Sequence, residues 1–294
     1  MKLITREHID VERWNQTIEA SGKENIFCYS WYLDAVAENW NAIVSDDYSS
    51  LIPVPFTSKL GVKQMYQAPF TREYDLFGET FDWQEVLSLL QKDFKAIEFR
   101  NGGDNFPEKG TERIHQWLEL KDDFQSGYRS NARRILKKAK ALFSVESGSD
   151  VSLLIDLFKR TTAHKIDSIK EADLIKLTHL MKTAIELGKG EMWIVKEENQ
   201  LVAAGFFLKD KKRITYLKGA SEEEAKRSGS MYVLMDFAFN HYCQNHSTFD
   251  FGGSDVENVA NFYKKFGAVD RTYYNYRIDN LPFWFKTIKK IKRS

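Results

Sequence analysis

A phenol and a short glycine-containing loop in the last third of the chain are the residues best suited to chemistry. Tyr263 lies four residues before Gly267, and the loop Arg227–Ser230 separates a predicted strand, Arg213–Lys218, from a predicted apolar helix, Met231–Tyr242. A loop that opens a helix presents free backbone N–H groups at the positive end of the helix dipole. This arrangement favours an anionic ligand, typically a phosphate.

The residue types of this loop suit a phosphate. Gly229 permits close approach of the backbone, and the hydroxyl groups of Ser228 and Ser230 can donate hydrogen bonds. We therefore predict that these three residues and Arg227 bind an anionic group, and that Lys218, at the end of the preceding strand, binds substrate. The alternative is that a serine caps the start of an ordinary core helix.

The elements that must position these residues alternate between helices and strands. In the first half, helical spacing over Val11–Ser21 and Ser30–Asn39 precedes a predicted hairpin, Asn41–Phe56. In the second half, helices lead into a similar hairpin, Glu191–Leu208, with an acidic turn like the first. The repeated layout predicts two related α/β units divided near Lys121–Gly127, with a single long mixed sheet as the alternative.

A strongly basic helix is predicted at the start of the second unit. Gln125–Phe143 carries six cations and no carboxylate, and like charges four residues apart repel unless acids lie between them. Arg129, Arg133 and Lys137 share one face, and we predict that they bind an anionic acceptor near the junction of the units. The alternative is a charged linker helix exposed to solvent.

Length and composition exclude several classes of protein. The 294 residues suffice for one large domain or two ordinary ones. The 43 Lys+Arg residues nearly balance the 42 Asp+Glu residues, so no global field attracts nucleic acid and we predict no DNA partner. Cys28 and Cys243 lie far apart and the histidines lack metal-ligand spacing, so we expect neither disulfides nor a metal. The charged start of the chain and the lack of a long apolar run predict a cytoplasmic protein.

Three common catalytic or nucleotide-binding motifs do not occur in the sequence. The chain has no GxSxG nucleophile elbow, no GxGxxG dinucleotide loop and no P-loop ending in GK[ST]. The sequence therefore gives no support to Ser-His-Asp catalysis or to these two types of nucleotide-binding fold.

The order of several short motifs resembles the Fem-type acyltransferases, which are peptidoglycan-bridge aminoacyltransferases built from two GNAT-like domains. Tyr128–Ala139 is similar to the opening of their second domain, and further similar motifs are Gln67–Thr71, Tyr216–Ser221 and Phe249–Ser254. The resemblance covers essentially the whole chain. It implies an α/β (α+β) fold of two tandem GNAT-like domains with mixed, mainly antiparallel sheets. Residues 1–124 would be structural or form an acceptor groove, and residues 125–294 would bind the donor and house catalysis.

The resemblance also implies a role for the loop and for the phenol. GNAT enzymes hold the pyrophosphate of acyl-CoA on a loop of the form Arg/Gln-x-x-Gly-x-Gly/Ala, of which Arg227–Ser230 is a shortened version. The family's Tyr-x-x-x-Gly pattern matches Tyr263-Lys-Lys-Phe-Gly267, so Tyr263 is expected to protonate a leaving thiolate. A phenol with a pKa of about 10 can donate to a thiolate with a pKa of about 8.5 when the two are in contact. The alternative is that Tyr263 packs in the core with Phe262 and Phe266.

Two steps of the implied reaction are less clearly assigned. Asp250, Asp255 and Glu257 are candidates for the base that deprotonates the acceptor amine, and we select Asp250, although acids beside a strand often form turns. Fem enzymes tend to have a lysine where this chain has Tyr263, with Lys264 one residue along. This difference favours acyl-CoA (acetyl-CoA) over aminoacyl-tRNA as the donor.

The implied function is N-acyl transfer from acyl-CoA to an amine by direct attack. The acceptor would be a small molecule or a cell-envelope precursor. One alternative is tRNA-dependent aminoacyl transfer in peptidoglycan bridge synthesis, which requires a tRNA partner. The other alternative is a catalytically degenerate GNAT-like binding module.

The end of the chain mixes aromatic and basic side chains. Leu281, Trp284, Ile288 and Ile291 form a single stripe at helical spacing, which favours a terminal helix docked on the domain. Aromatic and basic residues at this spacing also suit an interfacial helix on an anionic membrane, so peripheral membrane contact is the alternative.

Overall fold

A computed structural model describes residues 1–23, 25–78, 82–103, 106, 109–162, 169–252 and 256–291. The strands in these residues are β1 (Lys2–Thr5), β2 (Asn39–Val44), β3 (Leu51–Lys59), β4 (Val62–Met65), β5 (Ala96–Asn101), β6 (Thr111–Glu119), β7 (Ser144–Gly148), β8 (Gly190–Glu197), β9 (Gln200–Lys209), β10 (Arg213–Ser221), β11 (Thr248–Asp250) and β12 (Val269–Asp279). The α-helices are α1 (Val11–Ala20), α2 (Ser30–Val36), α3 (Trp83–Asp93), α4 (Ser130–Ala139), α5 (Val151–Thr161), α6 (Glu171–Glu186), α7 (Glu223–Ser228), α8 (Ser230–Tyr242), α9 (Glu257–Lys264) and α10 (Phe283–Ile291).

The chain forms two compact units, and the first combines Met1–Arg113 with Thr272–Ser294. Its strands pair in the order β1-β2-β3-β4-β5-β12, antiparallel except for β4 and β5. Asp10 and Asp82 start α1 and α3 by accepting hydrogen bonds from backbone N–H groups of the first turn. Both helices bury one apolar stripe, as their amphipathic sequences predict.

The second unit is the continuous segment Ile114–Arg271. Its strands pair in the order β6-β11-β10-β9-β8-β7, and β10 and β11 are the parallel pair among these neighbours. Helix α8 is apolar and buried on nearly every side, because it contacts strands of the sheet and is also contacted by α4. The predicted fold class, α/β with mixed and mainly antiparallel sheets, is confirmed.

The two predicted hairpins are present as β2–β3 and β8–β9. The predicted basic helix is shorter than expected, because Phe124–Gly127 form a 3-10 turn and Arg129 is extended, so that α4 begins at Ser130. Of the described helices, none is both long and apolar enough to cross a membrane.

The units divide the chain differently from the predicted boundary between residues 124 and 125. Residues 117–119 pair with 248–250, so the second unit already begins at residue 114. Residues 274–279 pair with 96–101, so the end of the chain joins the first unit. Hydrophobic periodicity identifies a strand but not a partner far along the chain, and this exchange was therefore not predictable from local patterns.

The last helix docks through Phe285, which was not in the predicted stripe, and the predicted Leu281 just before the helix is also buried. Leu281 and Phe285 are buried beside Val62 of β4. Trp284 and Ile288, which we expected on the docked face, are 49% and 36% exposed. The predicted stripe continued from Leu281 to Trp284, three residues later. The buried residue is Phe285, four residues after Leu281, so the docked face is shifted by one position along the sequence.

Candidate functional site

Strand β10 changes its pairing in the middle, and this opens the sheet of the second unit. Its register with β9 shifts between Tyr216 and Lys218, so that Leu217 is skipped. Its parallel register with β11 ends at Thr215, opposite Asp250. A bulge of this kind bends a strand and releases backbone groups from the ladder. The second half of β10 therefore parts from β11 and forms one wall of a cavity.

The cavity has a volume of about 430 Å³ and lies wholly within the second unit. Strand β10, helices α7, α8 and α9, and the residue after α5 contribute to its wall. The lining residues are Thr162, Tyr216, Gly219, Ala220, Ser221, Lys226, Met231, Tyr232, Asn258, Val259, Phe262 and Tyr263. The cavity thus combines an apolar interior with hydroxyl groups and one lysine.

The predicted phosphate loop forms the junction between α7 and α8. Gly229 has a φ of +102°, which ends α7 and lets α8 begin at the next residue. Ser230 is fully buried, and its hydroxyl group lies 2.8 Å from that of Ser221 on β10. The backbone N–H groups of Tyr232 and Val233 donate to the Gly229 carbonyl. Helix geometry leaves the N–H groups at the very start of α8 without acceptors inside the helix.

The cations around this junction differ in where they lie. Lys226 lines the cavity on one side of the junction, and Met231 lines it on the other. Arg227, predicted to bind the cofactor, is exposed and its nearest carboxylate is that of Glu223, 3.7 Å away. Ser228 is the exposed last residue of α7. The structure therefore brings the loop backbone to the cavity together with Lys226, which the sequence analysis did not select.

The Tyr263 side chain is buried in α9 and lines the cavity. Its ring stacks on Phe251 with 4.3 Å between ring centroids. Burial raises the pKa of the Tyr263 phenol, and the nearby Asp250 carboxylate raises it further. The phenol therefore stays protonated at neutral pH and can donate a hydrogen bond into the cavity. It is at once a core residue and a cavity residue, so the two alternatives posed for it are compatible.

Asp250 lies at the end of β11 and has no exposed surface. Its Oδ1 atom accepts a hydrogen bond of 2.9 Å from the Gly252 N–H and lies 3.7 Å from Nδ1 of His115. It does not line the cavity. Its carboxylate affects the cavity indirectly, because its negative charge raises the pKa of the Tyr263 phenol. Of the other two acids considered, Glu257 is exposed on α9, and Asp255 is outside the described residues.

Lys218 lies beside the bulge and is largely buried. Its ammonium nitrogen is 3.7 Å from the centre of the Phe158 ring on α5, a cation–π geometry. Burial lowers the pKa of Lys218 to about 8. The Lys218 ammonium has no hydrogen bond or ion pair with another described residue. Lys218 is next to Gly219 of the cavity wall, and its amine has a pKa close to neutral pH. It can therefore bind an acidic group or take up and release a proton.

The three predicted acceptor-binding residues of α4 are exposed and do not line the cavity. Arg133 donates to the carbonyl oxygen of Ser126 at 2.7 Å, which helps to fix the preceding turn. Arg129 is the N-cap residue, and Lys137 extends from the exposed side. Arg133 and Lys137 lie on α4 as predicted, whereas Arg129 has an extended backbone and precedes the helix. The binding role of all three residues stays a prediction.

Sequence reasoning missed Tyr216, whose ring forms part of the cavity wall. Burial and the neighbouring Tyr263 raise the pKa of the Tyr216 phenol. Its hydroxyl oxygen lies over Gly219, at a position that a Cβ atom would occupy. A glycine inside a strand marks such a close approach, so the pair Lys218-Gly219 was the available signal.

Comparisons with known proteins match part of the second unit to a family model and nearly the whole chain to solved structures. Residues 126–265 match the family model described as acetyltransferase (GNAT) domain. The solved structure of FemX is similar over 95% of this chain and 98% of its own, with a TM-score of 0.69 and 12% identity. L-PGS from Bacillus licheniformis is similar over 97% and 96%, with a TM-score of 0.55 and 14% identity. A tandem GNAT protein from the clavulanic acid biosynthesis pathway is similar over 96% and 99%, with a TM-score of 0.54 and 10% identity.

The search of curated proteins found no match to this chain. The solved structures share its fold at identities too low to transfer an activity. Residues 126–265 match the GNAT acetyltransferase family model, and the chain as a whole shares the two-domain fold of FemX and of the tandem GNAT protein.

Proposed function

We propose that the second unit is an N-acyltransferase that transfers an acyl group from acyl-CoA to an amine. The observation that carries the proposal is the cavity of about 430 Å³, whose wall combines the bulged part of β10, the start of α8 and the Tyr263 phenol. Acyl transfer from a thioester needs an anion site, a polar group beside the carbonyl oxygen and a donor for the leaving sulfur. The cavity wall offers a candidate for each.

The start of α8 is the candidate anion site for the donor. The N–H groups of Ser230 and Met231 open a helix of 13 residues, where the helix dipole favours a negative charge. Lys226 adds a cation on the wall of the same cavity. A pyrophosphate held there would direct the pantetheine arm of the donor along β10. The skipped residue Leu217 would then supply backbone polar groups for the thioester carbonyl.

In the proposed reaction the amine and the thioester are bound together. The neutral amine nitrogen attacks the carbonyl carbon, the C–N bond forms, the C–S bond breaks, the sulfur leaves as a thiolate and the nitrogen releases one proton to solvent. A thiol with a pKa of about 8.5 is a stronger acid than a phenol with a pKa of about 10, and the pKa of Tyr263 is raised further by burial and by Asp250. Full proton transfer to the thiolate is therefore uphill. Tyr263 stabilises the thiolate by donating a hydrogen bond, and solvent supplies the proton.

The proposed acceptor is a small-molecule or cell-envelope amine that also carries an acidic group. Lys218 supports this part of the proposal, because its largely buried ammonium has an aromatic ring but no carboxylate beside it in the described chain. An acceptor carboxylate or phosphate would provide the missing counter-charge. Asp250 is assigned as a positioning residue, whose buried charge keeps the Tyr263 phenol protonated.

Aminoacyl-tRNA-dependent transfer of the Fem type is the second candidate. The exposed cations of α4, which lack acidic neighbours on that helix, favour it. One observation favours acyl-CoA instead. Lys264, the residue nearest to the lysine of Fem enzymes, forms an ion pair of 2.6 Å with Asp270 and does not line the cavity.

Thermal unfolding with acetyl-CoA, combined with turnover of a panel of primary amines, tests the proposal. A ligand at a hundred times its Kd adds about 2.7 kcal/mol, which raises the melting temperature by several degrees. We expect Tyr263→Phe to show the same shift but to release CoA thiol roughly ten- to a hundredfold more slowly, because one hydrogen bond to a developing charge is lost.

Other outcomes of this experiment would overturn the proposal. Stabilisation by aminoacyl-tRNA and not by acetyl-CoA, with a steep dependence on salt, would support the second candidate. Binding of acetyl-CoA without turnover of any amine, in the wild type as in Tyr263→Phe, would indicate a degenerate binding module.

A further inference from the structure

The basic helix α4 contacts the loop at the start of α8. A Cβ atom placed on Gly229 would lie 2.8 Å from Cγ2 of Ile135 and 3.0 Å from Cβ of Ala139. The last residues of the α4 region also reach α8, where Lys140 forms an ion pair of 2.6 Å with Asp236. The second half of α4 therefore packs against the α8 start that we propose as the anion site.

The cations of α4 differ in their position relative to this contact. Arg134 and Lys138 each immediately precede one of the contact residues, Ile135 and Ala139, and share one edge of the helix at a spacing of four. At 100° per residue, Lys137 lies on the side of the helix opposite to the contact. Arg129 lies six residues before Ile135, about 9 Å along the axis. Lys138 is thus the α4 cation nearest to Gly229, and Arg134 lies one turn before it on the same edge of the helix.

These two side chains lack acidic partners in the described chain. Neither the Arg134 nor the Lys138 side chain has a hydrogen bond or an ion pair with any described residue, and both residues are exposed. By contrast, Arg133 donates to a backbone carbonyl and Lys140 pairs with Asp236. Two like charges four residues apart repel each other, and a phosphate bound between them would remove that repulsion.

Acyl-CoA carries two separate anionic groups. Its pyrophosphate lies between the ribose and the pantetheine arm, and a further phosphate is attached to the 3′ position of the ribose. If the pyrophosphate were bound at the start of α8 with the pantetheine arm in the cavity, the 3′-phosphate would lie outside the cavity.

We propose that Arg134 and Lys138 form a subsite for the 3′-phosphate of the donor nucleotide. The inference rests on the proposed use of acyl-CoA. It assigns the basic edge of α4 to donor recognition, whereas Arg129, Arg133 and Lys137 were predicted from the sequence to recognise the acceptor. An arginine and a lysine at i, i+4 can grip one phosphate group from two directions.

The test compares acetyl-CoA with 3′-dephospho-acetyl-CoA, which differs by the 3′-phosphate alone. We expect the wild type to bind acetyl-CoA about tenfold more tightly in calorimetry at low salt, a preference of the size expected from two exposed charge pairs. In the variant Arg134→Gln/Lys138→Gln the preference should fall to about one, with the affinity for the dephospho compound unchanged. The matched variant Arg129→Gln/Lys137→Gln removes the same charge from the same helix and should keep the preference.

Each result bears on one of two claims. Equal binding of the two compounds by the wild type would overturn the subsite and leave the proposed function standing. A preference that survives in Arg134→Gln/Lys138→Gln, or that disappears equally in the matched variant, would also overturn it. Failure of both compounds to bind would overturn the acyl-CoA donor itself, and the subsite with it. Because all four residues are exposed, these variants should fold like the wild type.

Discussion

Burial acts on two ionisable side chains beside the cavity in opposite directions. It raises the pKa of the Tyr263 phenol and lowers the pKa of the Lys218 amine, because in each case the neutral form avoids the cost of desolvating a charge. A protonated phenol suits a hydrogen-bond donor to sulfur. An amine with a pKa of about 8 is near its midpoint just above neutral pH, where it can hold an acid or exchange a proton.

Lys218 should also leave a signature in stability. Its pKa is lowered in the folded state to about 8 from the ordinary lysine value of 10.5, so between these two pH values the unfolded chain binds more protons. Stability of the wild type should then rise with pH from about 8 to about 10.5 relative to Lys218→Met, by at most roughly 3 kcal/mol. Urea unfolding of both proteins at pH 7, 8.5 and 10 measures this difference.

The matched control for this prediction is Lys218→Arg. The guanidinium stays charged over the whole range, so its difference from Lys218→Met should not vary with pH. A wild-type difference that is equally flat would show that Lys218 is not desolvated as the structure indicates.

The sequence identified the phenol of the cavity, Tyr263, but selected the one of two adjacent cations that does not line the cavity. Tyr263 was predicted because a glycine follows it at a family spacing, and it lines the cavity. Arg227 was predicted to accompany the loop, but Lys226 lines the cavity instead. Which of two adjacent residues faces the cavity depends on the rotation of the six-residue helix α7, and a helix this short carries too little periodicity to fix that rotation.

At the scale of elements, the contact between α4 and α8 depends on a glycine. Gly229 combines a left-handed φ of +102° with close contacts to Ile135 and Ala139. Both hairpins and most helices were predictable from periodicity. The packing of α4 on α8 was not predictable, because the sequence of a basic helix does not indicate which element packs against its narrow apolar stripe.

A pair of glycine substitutions separates strain from packing at this contact. Gly229→Ala should lower the free energy of unfolding by about 1–2 kcal/mol for the left-handed backbone and by about 1–3 kcal/mol more for overpacking against α4. Gly188→Ala is the control, because Gly188 has a φ of +65° and no atom within 4 Å of an added Cβ. Urea unfolding measures both losses. Equal losses of unfolding free energy in the two variants would mean that α4 shifts to accommodate the added methyl group without destabilising the protein.

At the scale of the whole molecule, the last helix leaves an unusual surface on the first unit. Phe283 is 86% exposed and the adjacent Trp284 is 49% exposed, whereas Phe285 is buried. Trp284 and Ile288 lie on the exposed side with Phe283, close to basic residues of the same helix. Exposed aromatic residues with cations are typical of helices that lie in a membrane interface.

We therefore expect the protein to sediment with vesicles that contain phosphatidylglycerol. Binding should weaken as salt is added, because the cations contribute about 1 kcal/mol each only within a Debye length of the lipid surface. Phe283→Ser/Trp284→Ser should remove the binding and leave thermal unfolding unchanged. Vesicles of phosphatidylcholine alone serve as the control, and equal sedimentation with both lipids, or with neither, would contradict the prediction.

The exchange of the last strand has a consequence for synthesis on the ribosome. The second unit is continuous in sequence and has all its strands once residue 271 has been made, whereas the first unit still lacks β12. Until that strand arrives, β5 presents unpaired backbone groups on one edge, and open edges invite pairing with other chains. The half that is translated first is therefore finished last, and a chain stalled near residue 271 would aggregate through its N-terminal half.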